Sequence, residues 1–167
     1  KDKKIDELFE EGYEAVYIAV GTWVDSPMNV PGEDLPGVYK GTEYLIRNNV
    51  KTEILPQDIS EETVLGNKVV VIGGGDTASD CLRTALRMGA DEVTCLYRRT
   101  ENEMPGSAKD RKLAREEGAN YEFLTQPVKF IPGEGGELAA VECIRMELGE
   151  PDESGRRRPV PIEGSEF

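Results

Sequence analysis

Residues 68–78 read Lys-Val-Val-Val-Ile-Gly-Gly-Gly-Asp-Thr-Ala, and no other stretch restricts the fold so tightly. The β-branched run before Gly73 suits a central strand of a parallel sheet, buried on both faces. The glycines stop that strand. Ala78, Cys81, Leu82, Ala85 and Leu86 then recur at i, i+3, i+4, i+7 and i+8, which is one face of a helix. Gly89 ends the helix, and Glu92 to Tyr97 reads as a second buried strand. Strand, glycine turn, helix and strand together make a βαβ unit of about 30 residues.

The turn itself, Gly73-Gly74-Gly75-Asp76-Thr77-Ala78, fits the pattern GxGxxA. The first glycine permits the sharp change from strand to helix. The second lets a pyrophosphate approach the backbone where a Cβ would obstruct it. The small third residue lets helix and strand pack closely. The helix N-terminus then offers backbone N–H groups and a partial positive charge to phosphates. This arrangement predicts a nucleotide site. Asp76 has two readings that need not exclude each other: an N-cap, and a contact to a cofactor ribose or nicotinamide amide.

In such units an acidic residue at the end of the second strand receives the ribose 2′-hydroxyl of NAD. Here Arg98 and Arg99 stand at that place. A guanidinium pairs with a 2′-phosphate through two parallel hydrogen bonds, whereas a carboxylate repels it. The net charge is −13, so paired arginines at this point favour NADP(H) over NAD(H). Lys109 and Arg111 on the following helix are the next candidates for the 2′-phosphate. A second basic run, Arg156-Arg157-Arg158, reads as a solvated turn or as a surface for another subunit or an acidic carrier.

Other bulk features narrow the function. There is no histidine, which removes Ser-His-Asp and Cys-His catalysis and argues against zinc. Hydride transfer between cofactors needs no protein acid or base and survives that filter. The acidic balance argues against nucleic acid and anionic membranes. No apolar run approaches the length of a membrane span. Cys81, Cys95 and Cys143 form no CxxC pair and sit in apolar patterns, so they are expected to be small buried hydrophobes in a reducing cytoplasm.

Elsewhere, residues 5–11 look like a short helix ended by Gly12, and Tyr13 to Val20 like a buried strand stopped by Gly21-Thr22. Residues 25–39 are rich in proline and glycine and read as a linker. Glu43 to Arg47 opens a helix, and 51–66 are polar and irregular. Ser107, with Asp110 three residues on, caps a helix to Glu117 ended by Gly118, and Tyr121 to Leu124 is a third strand. Residues 128–131, 138–148 and 158–163 look like strands of an antiparallel meander. The expected fold is α/β: a Rossmann-like parallel sheet with flanking helices and an added antiparallel β-meander.

Several segments together resemble the small (beta) subunit of NADPH-dependent glutamate synthase. They are the run from Val69 to Cys81, Tyr97-Arg98-Arg99, Met104-Pro105-Gly106-Ser107, Ala114 to Gly118, and the tail from Gly149 to Phe167. Ala19 to Thr22 and Pro31 to Val38 belong to the same likeness. Dihydropyrimidine dehydrogenase and the electron-bifurcating ferredoxin:NADP oxidoreductase share these segments. The resemblance implies an NADPH-binding domain inserted in an FAD-binding domain. Hydride passes from NADPH to FAD, and electrons then move through iron–sulfur clusters to a large partner subunit. It assigns Gly74, Gly75, Asp76 and Thr77 to the pyrophosphate and Arg98 and Arg99 to the 2′-phosphate. On this reading residues 1–39 are the tail end of a flavin domain with a linker, and 40–167 are the NAD(P)-binding domain. FAD and iron–sulfur clusters are then expected in the parent protein only, and the fragment alone is expected to be inactive. The same module in a bifurcating ferredoxin:NADP oxidoreductase or a dihydropyrimidine dehydrogenase-like enzyme is a second enzyme reading, and a non-catalytic NADP(H)-sensing domain is the alternative from another class.

Overall fold

A computed structural model of the chain describes residues 3–19, 21, 25–51, 53, 63, 66–151, 153 and 155–167. The glycine turn lies at the end of β1 (Lys68–Ile72), in a parallel sheet with β2 (Glu92–Tyr97) and β3 (Asn120–Phe123), in the order β1-β2-β3. The register aligns Ile72 with Leu96 and Tyr97 with Phe123. Parallel neighbours need a crossover, and helices supply both. α3 (Asp76–Arg87) links β1 to β2, and α4 (Ala108–Glu117) links β2 to β3. Numbering both from the chain start, α1 (Ile5–Glu10) and α2 (Gly41–Asn49) precede them, and α2 packs against α3.

The centre of the core shows why the helices can come so close. Ala85 of α3 and Ala114 of α4 are fully buried, as are Val93 and Cys95 of β2. Val93, Cys95 and Tyr97 alternate along β2 into one cluster with Leu82, Ala85 and Ala114. Leu96, one step out of phase, is buried outside that cluster, so β2 is covered on both faces as a central strand requires. α4 begins and ends as its residues dictate. Ser107 Oγ accepts the Asp110 N–H at 3.4 Å, and Gly118 takes φ 114°.

A second, antiparallel sheet follows, in the order β4 (Thr125–Pro132), β5 (Leu138–Pro151), β6 (Arg157–Pro161). These strands extend the expected meander to earlier and later residues. The junction between the sheets is Leu124, which has φ 52°. That left-handed conformation costs a branched side chain about 1–3 kcal/mol and persists only where its surroundings enforce it. Two hydrogen bonds do so. The Leu124 N–H donates to the Arg99 carbonyl at 3.1 Å, and the Met146 N–H donates to the Leu124 carbonyl at 2.8 Å. The second sheet is thereby fastened beside the C-terminal end of β2.

One expectation needs revision. Residues 13–19 form no strand: none pairs with β1–β6, Tyr17 is 92% exposed and Ile18 62% exposed. A run of this kind becomes a strand only where an edge accepts its hydrogen bonds, and no described strand pairs with it. The proline-rich stretch 25–39 is firmly seated. The Phe130 N–H donates to the Pro31 carbonyl and the Leu138 N–H to the Pro36 carbonyl, both at 2.8 Å. Gly32, at φ 82°, passes so close that a Cβ would lie 2.5 Å from the Phe130 carbonyl oxygen. Asp25 at its start holds the Thr42 hydroxyl at 2.9 Å and so tethers α2. Val20, Thr22 and most of 51–66 lie outside the described residues.

The three cysteines are buried and free. Burial pushes the Cys81 and Cys95 thiols up to about 12, and raises Cys143 as well. Among the described residues no helix is long and apolar enough to cross a membrane.

Candidate nucleotide site

The glycine turn is shaped by four separate constraints. Gly73 continues the sheet, its N–H donating to the Leu96 carbonyl at 3.1 Å, and adopts φ 139°, where a side chain is strained. A Cβ there would stand in ordinary contact with Ala78 Cβ at 3.5 Å, so the backbone conformation and not the space demands glycine. Gly74 is fixed by packing. A Cβ would lie 2.6 Å from the Tyr97 ring, and that ring is held by its hydroxyl donating to the Glu103 carbonyl at 2.8 Å. Gly106 crosses over the turn. Its N–H donates to the Gly74 carbonyl at 2.9 Å, and a Cβ would meet the Gly75 carbonyl carbon at 2.9 Å.

Gly75 is unlike the other three. Its φ is −89°, open to any residue, and a Cβ added to it would meet nothing within 4 Å. Neither backbone strain nor a protein neighbour demands glycine there. The space lies at the N-terminus of α3, where the first N–H groups of a helix lack intrahelical acceptors.

Asp76 is not the N-cap. Gly75 occupies that position, Asp76 is the first helical residue, and its Oδ1 accepts the Ser107 N–H at 2.7 Å. The cause is tertiary: the 104–107 loop brings a backbone donor to the carboxylate, which also complements the helix dipole. Thr77 is exposed and lines a groove between α2 and α3 with Thr42, Asp80 and Arg83. The role of Gly106 was not read from the sequence, although its Pro-Gly context marks a turn.

Arg98 and Arg99 follow β2 directly, one strand over from the glycine turn. Adjacent strands lie about 4.8 Å apart, so the turn and the arginines are within reach of one dinucleotide. Arg98 is exposed and Arg99 half-buried, and the Arg99 Nε is buried with no hydrogen-bond partner among the described residues. Both arginines line a cleft of about 550 Å³, together with Gln126, Met146, Arg158, Pro159 and Pro161. Arg158 is exposed, as a solvated residue is, but it lies in β6 and not in the turn, and it lines this cleft. Arg157 belongs to the hairpin: it donates to the Leu148 carbonyl at 2.7 Å and the Gly149 carbonyl at 3.1 Å.

The fallback cations do not join this cleft. Arg111 is buried, donates to the Gly106 carbonyl and lies 3.7 Å from Glu101, so it braces the loop over the turn. Lys109 is exposed on α4.

This combination of a glycine turn, a cationic strand end and an antiparallel appendix matches known proteins. A family model described as pyridine nucleotide-disulphide oxidoreductase matches residues 1–153. The chain is 52% identical to the putative oxidoreductase AegA of Escherichia coli, over 100% of this chain and 26% of that protein. It is 47% identical to the glutamate synthase [NADPH] small chain of Halomonas elongata, over 99% of this chain and 35% of that protein. The chain thus spans about a third or less of these relatives' length. Among solved structures, FprA of Mycobacterium tuberculosis in complex with NADPH superposes with a TM-score of 0.73 at 22% identity, over 98% of this chain and 49% of that chain. The likeness in fold bears out the expected α/β architecture, and the sequence match bears out the resemblance to the glutamate synthase small chain. By the extent of the family match, this chain belongs to the pyridine nucleotide-disulphide oxidoreductases.

Proposed function

We propose that residues 40–167 hold NADPH and present it to an FAD carried by another part of the same protein. The observation that carries this reading is the cleft beside the glycine turn that Arg98 and Arg99 line together. A guanidinium pairs with a phosphate through charge-assisted hydrogen bonds, and two of them at the end of β2 suit the 2′-phosphate of NADPH. Gly75 supports the reading from the other end, because its open Cβ position leaves room for a pyrophosphate against the backbone.

When bound, NADPH supplies the hydride. The residues here have simpler tasks. Gly73, Gly74, Gly75, Thr77 and Ala78 form the turn and the helix start that receive the pyrophosphate. Asp76 holds the covering loop through Ser107. Arg98 and Arg99 select the phosphorylated ribose. None of these tasks moves a proton, which agrees with a chain that has no histidine.

The finer part of the proposal is that the parent is of the glutamate synthase small-chain type. In it, flavin and iron–sulfur clusters outside this chain pass electrons to a large subunit. A relative at 44% identity bears the name NADPH-Fe(3+) oxidoreductase subunit beta, so the electron-input step is what such parents would share.

The test is a set of dissociation constants for NADPH and NADH, measured by calorimetry on wild type, Arg98→Ala, Arg99→Ala and the double variant. A hydrogen bond to a charged group is worth about 1.5–3 kcal/mol. Each single substitution should therefore weaken NADPH by about 10- to 100-fold, with exposed Arg98 at the lower end. NADH should change little. Equal loss of both nucleotides, or no preference for NADPH in the wild type, would overturn the assignment.

A further inference from the structure

We infer that Arg158 is a third determinant of NADPH specificity, delivered to the 2′-phosphate by the antiparallel sheet. The inference rests on the NADPH reading and extends it to a residue outside the dinucleotide-binding unit.

Arg98, Arg99 and Arg158 line one cleft, and among the described residues no acidic side chain lines it with them. Like charges lining one cleft repel one another, and an anion bound among them relieves that repulsion. The rest of the lining is compatible with an adenosine. Met146, Pro159 and Pro161 give apolar surface, and Gln126 offers an amide.

The local backbone explains why Arg158, and not its neighbour, points there. Consecutive side chains of a strand face opposite ways, so Arg157 and Arg158 diverge. Arg157 is spent on the β5 carbonyls of Leu148 and Gly149. The register between β5 and β6 slips between Leu148 and Pro151: Leu148 pairs with Pro159, and Pro151 with Arg157. Arg158 therefore lies opposite the irregularity, the kind of place where a strand re-aims a side chain. Gly149 eases the approach of the strands there, since a Cβ would meet Val160 Cγ2 at 3.2 Å. The Leu124 junction then brings this hairpin to the arginines, because Leu124 is bonded to Arg99 on one side and Met146 on the other.

Arg158 is exposed, so its replacement leaves the core intact. The experiment compares Arg158→Ala and Arg158→Lys with the wild type, using adenosine 2′,5′-bisphosphate against AMP and NADPH against NADH. Folding is checked by circular dichroism. Arg158→Ala should weaken both 2′-phosphorylated ligands by about 5- to 10-fold and leave AMP and NADH unchanged; Arg158→Lys should recover part of the loss. Equal weakening of all four ligands would overturn the inference and make Arg158 a residue that shapes the hairpin. Unchanged affinity for all four, in a protein that still prefers NADPH through Arg99, would overturn it too and leave the NADPH reading standing. A wild type without preference for the 2′-phosphorylated ligands would overturn both.

Discussion

Gly74→Ala and Gly75→Ala add the same methyl group at adjacent positions, and the structure separates their consequences. At Gly74 the new Cβ would lie 2.6 Å from Tyr97 Cε2 and 2.9 Å from Cδ2. Tyr97 is 7% exposed and tied to the Glu103 carbonyl, so its ring cannot swing clear. Overpacking of this kind costs about 1–3 kcal/mol. For a chain of this size that lowers the melting temperature by about 2–12 °C. At Gly75 the methyl meets nothing, and φ −89° suits alanine. Two small terms oppose each other there. Lower unfolded-state entropy contributes about 0.4–1 kcal/mol, and losing a glycine N-cap costs about as much. Stability should therefore stay within about 0.5 kcal/mol of wild type. Binding should behave the other way. A methyl in the cradle holds the pyrophosphate off the N–H groups, and one charged hydrogen bond lost costs about 1.5–3 kcal/mol, or 10- to 100-fold in affinity. Scanning calorimetry without nucleotide and titration with NADPH measure the two quantities. A Gly75→Ala variant that melts as low as Gly74→Ala, or that retains wild-type NADPH affinity, would refute the assignment of that space to a ligand.

Gly106→Ala should both destabilise the fold and weaken NADPH, because its Cβ would press on backbone atoms of Gly74, Gly75 and Asp76 at 2.9–3.1 Å. Loss of the Gly106–Gly74 and Ser107–Asp76 bonds should cost about 1–3 kcal/mol in chemical denaturation, and wild-type stability would show that the loop rides free of the turn. The buried thiols predict a pH dependence. Their folded values, near 12, lie above the ordinary 9.0, so the unfolded state releases these protons first and stability falls as pH rises past 9. At pH 10 each thiol should cost about 1.4 kcal/mol relative to pH 8, and Cys95→Ala should remove about half of that combined loss. An unchanged pH profile in Cys95→Ala would show that other groups set it.

The two halves of the candidate site were unequally visible in the sequence, for a physical reason. The strand, turn and helix of 68–87 encode themselves locally: β-branched residues, glycines and a helical apolar period are all short-range signals. The cap at Ser107 and the stop at Gly118 are equally local. Readings failed where a residue's partner is distant along the chain. Asp76 has the intrinsic preference of an N-cap, yet the Ser107 N–H takes its carboxylate. Tyr13 to Ala19 has the composition of a strand, but composition cannot say whether an edge lies beside it. Arg158 looks like one of three charges in a turn until the left-handed Leu124 carries its sheet round to Arg99.

That dependence bears on how cofactor choice is built here. If the 2′-phosphate met only Arg98 and Arg99, the βαβ unit alone would set the preference, and an acidic residue at the end of β2 would convert it to NADH. With Arg158 lining the same cleft, the preference is divided between two sheets that meet at one strained residue. An acidic residue at position 99 would then pair with Arg158 in the cleft and fill the place of the phosphate, without creating a ribose site. Conversion should therefore require Arg158 to be neutralised in the same protein. The double change Arg99→Asp with Arg158→Gln should bind NADH better than Arg99→Asp alone, while Arg158→Gln by itself should leave NADH affinity at the wild-type level. Equal NADH affinity in Arg99→Asp with and without the second change would show that the two residues act independently.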